Sequence, residues 1–461
     1  MQRIILIVII AFFFNSLVAQ SVQNRLTKAF EIFEKDSQMK NGIASLYVID
    51  AKSGNIVFEK NSYTGLATAS TMKIITSVSA YELLEKDFRY KTEFGYSGNI
   101  VDKILKGDIY IRPSGDPTLG SWRWAETKDE TTISRIIAAV KKLDIKGYNS
   151  IVVNDSGWRY ENIPDGWIWQ DIGNYYGAGA GVLNWRENQF DIVLQSEDQI
   201  GSPVKIVETL PKDLSYKFLS VVTADAKGTG DNAYVYYPLN KNIGIIRGTI
   251  PVSEKRFTIS AAFADPISEF TNLLQNSFLK AGIGQIKFQD SDKNKNEVKM
   301  FHTQTSPPLD SIIYWFNKRS INIYGEALVK TIGYQKKGIG STEAGIELIK
   351  DFWKSKGISS TELNMVDGSG LSPLNRVTTH TQVRILQYAK NQNWFNGFYY
   401  SLPEFNNMKM KSGTIRDVKS FCGYHKSKSG AEYIFSFLVN NYNGSSSAIV
   451  QKMYKVLNEL K

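Results

Sequence analysis

The sequence predicts an α/β (α+β) domain formed by the two ends of the chain, with a large β-rich insertion between them. A hairpin and an apolar helix are predicted near the N-terminus, and three consecutive strands followed by a helix are predicted near the C-terminus. Short strand-like segments separated by turn residues occupy the middle of the chain. Because helices and sheets bury their apolar faces against each other, the two terminal groups of elements complete one domain.

The N-terminal elements follow from two different periodicities. Residues 44–61 contain two β-branched and aromatic runs joined by the turn residues 52–55, which predicts a hairpin. From Ser70 onward, apolar residues recur three apart over about four helical turns. The sequence therefore predicts a long helix that begins at Ser70 and places on one side Met72, Ile75, Val78, Tyr81 and Leu84.

The C-terminal elements complete the same unit. Residues 406–414, 420–425 and 431–441 are predicted to form three consecutive strands. Residues 446–461 then form an amphipathic helix with an apolar side made of Ile449, Met453, Leu457 and Leu460.

The middle of the chain is predicted to be a β-rich insertion that carries a smaller all-β module. Its strand-like segments are residues 108–115, 149–157, 190–196 and 242–252. The predicted organisation is a discontinuous first domain, an inserted domain and a nested all-β module, which comprise residues 20–86 plus 291–461, 87–196 plus 265–290, and 197–264.

The first nineteen residues are predicted to be a secretory signal peptide. Arg3 precedes an apolar run over residues 4–14, and small and polar residues follow up to Ala19. The run is shorter than the ~20 residues of a spanning helix, so no stable transmembrane anchor is expected. The protein is therefore expected to be exported to the periplasm or cell envelope, where its lone cysteine, Cys422, forbids an intrachain disulfide.

The net charge of +10 does not indicate a nucleic-acid-binding protein. The lysines are dispersed, and the densest charged runs alternate in sign. A solvated basic surface that tolerates an anionic cell-wall polymer explains the charge, and no nucleic-acid partner is expected.

Three short motifs supply the groups that acyl transfer requires. That chemistry needs a nucleophile, a base, a proton donor for the leaving group and an oxyanion site. Ser70 and Lys73 are three residues apart at the start of the predicted helix, so the hydroxyl and the amine project from one face. Ser320 and Asn322 lie in a predicted interhelical loop, and Lys411 lies in a strand able to pair with an extended peptide.

Each motif taken alone is weak, and sequence context selects among its copies. The same patterns also begin at Ser37, Ser53, Ser97, Ser202, Ser277, Lys52 and Lys428. Ser70 is the copy of S-x-x-K that begins a long apolar helix, whereas Lys52 and Lys428 fall in predicted hairpin turns.

Other catalytic designs are poorly supported. His302, His380 and His425 have no short metal-ligand spacing, so neither a metal nor a cofactor is predicted. No G-x-S-x-G elbow is present, and the glycine-rich residues 177–181 lack the lysine of a phosphate-binding loop.

These motifs and their order resemble one family, the three-domain D-alanyl-D-alanine carboxypeptidases/endopeptidases among the low-molecular-mass penicillin-binding proteins. The gap of 250 residues between Ser70 and Ser320 is typical of this family and far longer than in β-lactamases. The resemblance implies a serine β-lactamase/DD-peptidase-like fold. It covers nearly all of the chain after the signal peptide and is carried by residues 67–80, 114–119, 164–184, 305–328, 367–378 and 409–417.

The resemblance also implies a role for each motif residue. Ser70 is expected to attack the D-Ala-D-Ala carbonyl and Lys73 to act as its base. Ser320 and Lys411 are expected to relay the proton to the leaving D-alanine, while Asn322 holds a substrate amide. An ammonium at Lys411 and desolvation are expected to lower the pKa of Lys73 towards neutrality.

Substrate-binding roles extend beyond these five residues. The N–H groups of Ser70 and Thr414 are expected to form the oxyanion hole. The hydroxyls of Ser412 and Thr414, in the same motif as Gly413, are expected to bind the substrate carboxylate with Lys411.

The functional roles of two further segments are left open by the sequence. Asp155 is expected to recognise the amine end of the stem-peptide diamino acid, with Trp158 or Tyr160 as an aromatic wall, or else to cap a turn. Pro373 stands where many members have a basic residue, which puts the anionic subsite in doubt, and Arg376 or Arg416 are candidates to compensate.

The function implied is a serine DD-peptidase that acts on peptidoglycan stem peptides and is acylated by β-lactam antibiotics. A β-lactam-hydrolysing enzyme and a non-catalytic cell-wall-binding scaffold of the same fold are the alternatives. The balance between removal of terminal D-Ala and cleavage of cross-links is left open by the sequence.

Overall fold

A computed structural model describes residues 22–212, 214–238, 243–287 and 297–461. The predicted signal peptide and the predicted domain boundary at residues 290 and 291 lie outside these residues. Among the described residues, no helix combines the length and the apolar character needed to cross a membrane.

Eleven helices are found in the described residues. They are α1 (22–34), α2 (Met72–Leu84), α3 (Asp129–Lys141), α4 (Trp169–Ile172), α5 (Pro266–Lys280), α6 (Leu309–Lys318), α7 (Asn322–Lys337), α8 (Thr342–Ser355), α9 (Thr379–Lys390), α10 (Phe395–Ser401) and α11 (Ser446–Leu457).

The same described ranges contain twenty-two strands. They are β1 (Ile43–Asp50), β2 (Ile56–Lys60), β3 (Lys91–Tyr96), β4 (Asn99–Val101), β5 (Ile104–Lys106), β6 (Ile109–Arg112), β7 (Gly147–Tyr148), β8 (Ile151–Val153), β9 (Gln189–Gln195), β10 (Lys205–Leu210), β11 (Lys217–Asp225), β12 (Asn232–Tyr236), β13 (Ile243–Pro251), β14 (Phe257–Ala262), β15 (Gly284–Gln285), β16 (Lys299–Thr305), β17 (Leu363–Asn364), β18 (Arg376–Val377), β19 (Glu404–Phe405), β20 (Met408–Ile415), β21 (Val418–Lys426) and β22 (Glu432–Asn440).

The chain divides into two compact units. The first contains the described residues within 1–83, 313–320 and 346–461, and the second contains those within 84–312 and 321–345. The domain boundaries given by the sequence, including those of the nested module, stay a prediction.

The first unit is built on a six-stranded sheet with the order β19-β20-β21-β22-β1-β2. All neighbouring strands are antiparallel. Strand β1 pairs with β22 over its whole length, from Ile43 opposite Asn440 to Asp50 opposite Tyr433. Backbone hydrogen bonds therefore join the two ends of the chain in one sheet. The terminal patterns predicted that these ends belong to one unit.

Helices α1 and α11 cover one face of this sheet with an apolar core. The rings of Phe30 and Phe33 on α1 lie 5.8 and 5.3 Å from the ring of Phe437 on β22. Met453 and Leu457 on α11 are fully buried. The predicted N-terminal hairpin, the three C-terminal strands and the final helix are confirmed.

The second unit contains two four-stranded and two three-stranded sheets around another core. The sheet orders are β16-β3-β6-β8, β15-β7-β5-β4, β10-β9-β14 and β11-β13-β12. The four strand-like segments predicted for the insertion all contain strands, namely β6, β8, β9 and β13.

Two amphipathic helices of the second unit go beyond the β-rich description of the insertion. Helix α3 buries Ile136 and Val140, and α5 buries Phe270, Leu274 and Phe278. Helix α5 begins where the Asp265 side chain accepts from the backbone N–H of Ser268. Its apolar residues recur at helical spacing, so the sequence carried a signal for this helix.

Candidate active site

Ser70 lies in a single 3₁₀ turn, Ala69–Thr71, that leads directly into α2. The turn is fixed from within and from a neighbouring helix. The hydroxyl of Thr71 donates to the carbonyl of Thr68 at 2.8 Å and accepts from the Gln382 amide of α9 at 3.0 Å. Ala69 has a φ of +45°, a conformation rare for residues other than glycine and typical of constrained functional sites.

Lys73 lies one turn after Ser70 and is fully buried. Its Nζ lies 3.0 Å from Ser70 Oγ, within the distance that proton transfer requires. The same Nζ donates to the carbonyl of Ser369 at 2.7 Å and lies 5.7 Å from the centre of the Phe316 ring. The structure thus brings together the predicted nucleophile and its predicted base.

The loop that supplies the Ser369 carbonyl is organised by Asp367, whose role the sequence analysis did not identify. The fully buried Asp367 carboxylate accepts from the backbone N–H groups of Gly370 and Ser372 at 2.8 and 2.6 Å, and from the Asn375 amide at 2.8 Å. Gly370 has a φ of +81°, where a side chain would be strained. This loop therefore holds an acceptor in place for Lys73.

Lys411 and Ser320 form the second pair. Ser320 follows α6 and has a φ of +57°. Lys411 Nζ donates to Ser320 Oγ at 2.9 Å and to the carbonyl of Ser412 at 2.8 Å. Burial, with a smaller contribution from the positive charge of Lys419, lowers the pKa of Lys411 to about 7. Lys411 therefore exchanges its proton near neutral pH.

Strand β20 passes directly beside Ser70 because Gly413 has no side chain. A Cβ atom at Gly413 would lie 2.7 Å from the backbone nitrogen of Ser70 and 2.7 Å from the carbonyl oxygen of Thr68. This close approach brings the strand that carries Lys411 and Thr414 to the start of α2. The four residues Ser70, Lys73, Ser320 and Lys411 all belong to the first unit.

Asn322 begins α7 in the second unit, and its side chain is anchored there. Its Nδ2 donates to the carbonyl of Tyr176 at 2.7 Å. Two residues later, the buried Tyr324 hydroxyl donates to Glu187 Oε1 at 2.7 Å, and Glu187 is also paired with Arg123 at 2.7 Å. The first turn of α7 is therefore fixed by buried polar contacts.

Asp155 has a side-chain partner that differs from a turn cap. Its carboxylate accepts a hydrogen bond from the Tyr160 hydroxyl, whereas the local turn is capped by Asn154, which accepts from the N–H of Ser156 at 3.0 Å. Tyr160 is 92% exposed, but Trp158 is only 8% exposed and packs against Tyr334. Of the two aromatic residues suggested for a wall, Tyr160 is the accessible one.

Near the predicted anionic subsite lies Lys419, a cation that the sequence did not single out. Arg376, one of the two candidates, donates to the carbonyls of Pro373 and Asn375. The hydroxyl of Thr414 instead accepts from Lys419 Nζ at 2.6 Å.

The sequence profile of the D-Ala-D-Ala carboxypeptidase 3 (S13) family matches residues 26–460. The chain belongs to this family. Among curated relatives, the D-alanyl-D-alanine carboxypeptidase of Actinomadura sp. (strain R39) is 24% identical and aligns with 93% of this chain and 84% of its own. D-alanyl-D-alanine carboxypeptidase DacB of Haemophilus influenzae is 24% identical, with 84% and 83% covered.

The solved structures agree on the fold. The crystal structure of penicillin binding protein 4 (dacB) from Haemophilus influenzae superposes with a TM-score of 0.78 at 21% identity, and covers 91% of this chain and 97% of the other. The same protein complexed with a β-lactam gives a TM-score of 0.72 at 20% identity, with 91% and 96% covered. The predicted serine DD-peptidase-like fold is confirmed.

Proposed function

We propose that this S13-family protein is an exported serine D-Ala-D-Ala carboxypeptidase/endopeptidase that acts on peptidoglycan stem peptides through an acyl-enzyme on Ser70. The observation that carries the proposal is the distance of 3.0 Å between Ser70 Oγ and the Nζ of the fully buried Lys73. The similarity to curated D-alanyl-D-alanine carboxypeptidases over most of the chain supports the substrate class.

Acylation begins when Ser70 Oγ attacks the carbonyl carbon of the penultimate D-alanine and passes its proton to Lys73. The negative charge on the carbonyl oxygen is stabilised by the N–H groups of Ser70 and Thr414, which Gly413 allows to approach each other. One such donor contributes on the order of 3 kcal/mol to transition-state stabilisation.

The C–N bond then breaks, and the leaving amine takes a proton from the Ser320 hydroxyl, which recovers one from Lys411. The hydrogen bond of 2.9 Å between Lys411 Nζ and Ser320 Oγ supplies this route. With a pKa of about 7, Lys411 gives up a proton more readily than an ordinary lysine does. Water finally hydrolyses the Ser70 ester and releases the shortened stem peptide.

Other residues of the protein recognise parts of the stem peptide that do not react. Asn322 holds a backbone amide of the stem peptide, and Ser412 and Thr414 bind near its terminal carboxylate. Asp155, oriented by Tyr160, binds the amine of the diamino acid.

Covalent labelling and product analysis test the proposal together. Purified protein is treated with fluorescent penicillin and separately with muropeptide monomers and dimers, and mass spectrometry identifies the products. Wild type is expected to form one adduct, and loss of one alanine or conversion of dimers to monomers reports carboxypeptidase or endopeptidase action.

Ser202→Ala is the matched control because Ser202 begins another S-x-x-K motif but lies in an exposed segment, where its hydroxyl donates to the carbonyl of Gln199. Ser70→Ala is expected to abolish the adduct and turnover, whereas Ser202→Ala keeps both. An adduct that persists in Ser70→Ala, or rapid turnover of the antibiotic itself by wild type, contradicts the proposal.

A further inference from the structure

Lys419 lies on β21 directly opposite Thr414 of β20. The two side chains share one face of the sheet because cross-strand partners point the same way. Lys419 Nζ donates to Thr414 Oγ1 at 2.6 Å and lies 5.1 Å from the centre of the Phe421 ring. The ammonium is therefore held beside a hydroxyl to which the proposed function assigns the terminal carboxylate.

The charge of Lys419 has no anionic partner among the residues that the structure describes. Salt bridges formed by other lysines and arginines join them to Asp or Glu, but none is found for Lys419. Its side chain is half-buried, and this burial lowers the pKa of Lys419. Burying a cation without a counter-charge is unfavourable, so a ligand that brings a negative charge gains affinity at this position.

Of the two arginines suggested by the sequence, Arg376 is engaged with other partners and Arg416 is exposed. Arg376 uses its guanidinium to donate to the carbonyls of Pro373 and Asn375. Arg416 is exposed in the turn between β20 and β21. Lys419 is thus the cation that contacts the hydroxyl of the K-S-G-T segment.

We propose that Lys419, together with the Thr414 hydroxyl, binds the C-terminal carboxylate of the substrate. The proposal rests on the proposed function of the Ser70 site and adds a determinant of its specificity. An ammonium that donates to a carboxylate forms a charge-assisted hydrogen bond, which is about twice as strong as a neutral one.

The test compares two β-lactams that differ in one charge, benzylpenicillin and its methyl ester. The carboxylate of benzylpenicillin stands in for the terminal carboxylate of the peptide. The second-order rate of Ser70 acylation is measured by intact-protein mass spectrometry for wild type, Lys419→Met, Lys419→Arg and Lys428→Met. Lys428→Met is the matched control because it makes the same exchange at an exposed lysine in the turn that follows β21.

Wild type is expected to react about tenfold or more faster with the acid than with the ester. Lys419→Met is expected to lower the rate with the acid by about 10- to 100-fold and to leave the rate with the ester within about threefold, as loss of one charged hydrogen bond requires. Lys419→Arg is expected to restore most of the preference for the acid, and Lys428→Met is expected to keep all of it.

Equal losses with the acid and the ester in Lys419→Met would assign Lys419 a structural role and overturn the proposal. An unchanged rate with the acid, or a wild type that does not prefer the acid, overturns it as well. Failure of the proposed function is a separate result, since wild type then forms no Ser70 adduct with either compound. An unchanged thermal midpoint shows that the variants fold.

Discussion

Two buried lysines of the first unit each contact a serine hydroxyl, and their other contacts suit them to different steps. Lys73 also donates to the carbonyl of Ser369, which the Asp367 loop holds in place. Lys411 has no carboxylate partner among the described residues, and burial lowers its pKa to about 7. A lysine in this environment loses its proton easily, which suits Lys411 to the relay through Ser320.

The proton-accepting role of Lys73 is tested by Lys73→Arg. Arginine keeps the positive charge and hydrogen-bond donors, but it does not lose its proton at accessible pH. We expect the second-order rate of Ser70 acylation by penicillin to fall by about 10²- to 10⁴-fold, the usual contribution of general base catalysis.

Lys52→Arg is the control for this substitution because it makes the same exchange at an exposed lysine in the hairpin turn between β1 and β2. Its acylation rate is expected to match that of wild type. An acylation rate in Lys73→Arg that also equals wild type would show that Lys73 contributes its charge and does not accept the proton.

At the residue scale, sequence spacing predicted that Ser70 and Lys73 lie together. It did not identify Asp367 and Lys419, which contact the site through other residues. Ser70 and Lys73 lie on one helical turn, so their sequence separation fixes their proximity. Asp367 and Lys419 act through partners brought close by the fold: Ser369, which Asp367 helps to place, lies 296 residues from Lys73 along the chain. No periodicity reports such a contact.

At the element scale, α2 differs from the striped helix that the sequence predicted. Nearly every residue of α2 is buried, including the polar residues between its apolar positions. Thr76 donates to the carbonyl of Gly368 at 2.6 Å, and Ser79 accepts from the Trp353 indole at 2.8 Å. The apolar spacing correctly predicted the helix, but it did not predict that the small hydroxyl residues between the apolar positions are buried as well.

Helix α7 carries a buried charge whose effect depends on pH. Lys330 Nζ donates to the carbonyls of Glu161 and Ala180, and burial lowers its pKa from 10.5 to about 8. The unfolded chain therefore binds more protons than the folded chain between about pH 8 and 10.5. In that window the contribution of Lys330 to stability rises with pH, by up to roughly 3 kcal/mol for a shift of this size.

Lys330→Met is expected to remove this rise, so that the difference in unfolding midpoint between wild type and variant changes as pH increases from 8 to 10.5. Denaturant unfolding followed by fluorescence at several pH values measures the effect. Lys336→Met changes an exposed lysine of the same helix and is expected to track wild type. A constant difference between wild type and Lys330→Met would contradict the lowered pKa.

At the scale of the whole chain, the sequence predicted the joining of the two termini better than the content of the insertion. Strands β1 and β22 are rich in β-branched and aromatic residues, and the elements at each end predicted that both strands belong to one unit. Within the insertion, short strands were recognised, yet α3 and α5 were not, although both have regular apolar spacing. Strand and turn signals dominate the residues around both helices, which favoured a β-rich prediction for the whole insertion.

The sheet that joins the termini encloses Cys422, which makes this thiol a probe of the integrity of the first unit. Cys422 is fully buried on β21, between β20 and β22, and burial raises the pKa of its thiol. A disulfide reagent needs an accessible thiolate, so the native protein is expected to show no reaction over the time in which the denatured chain reacts with one equivalent.

Lys428→Cys adds an exposed thiol in the β21–β22 turn of the same sheet and is expected to react at once with one equivalent in the native state. Labelling of native Cys422 at a rate close to that of Lys428→Cys would mean that β21 separates from its neighbours without global unfolding, and the sheet would then not be the stable link between the two ends of the chain.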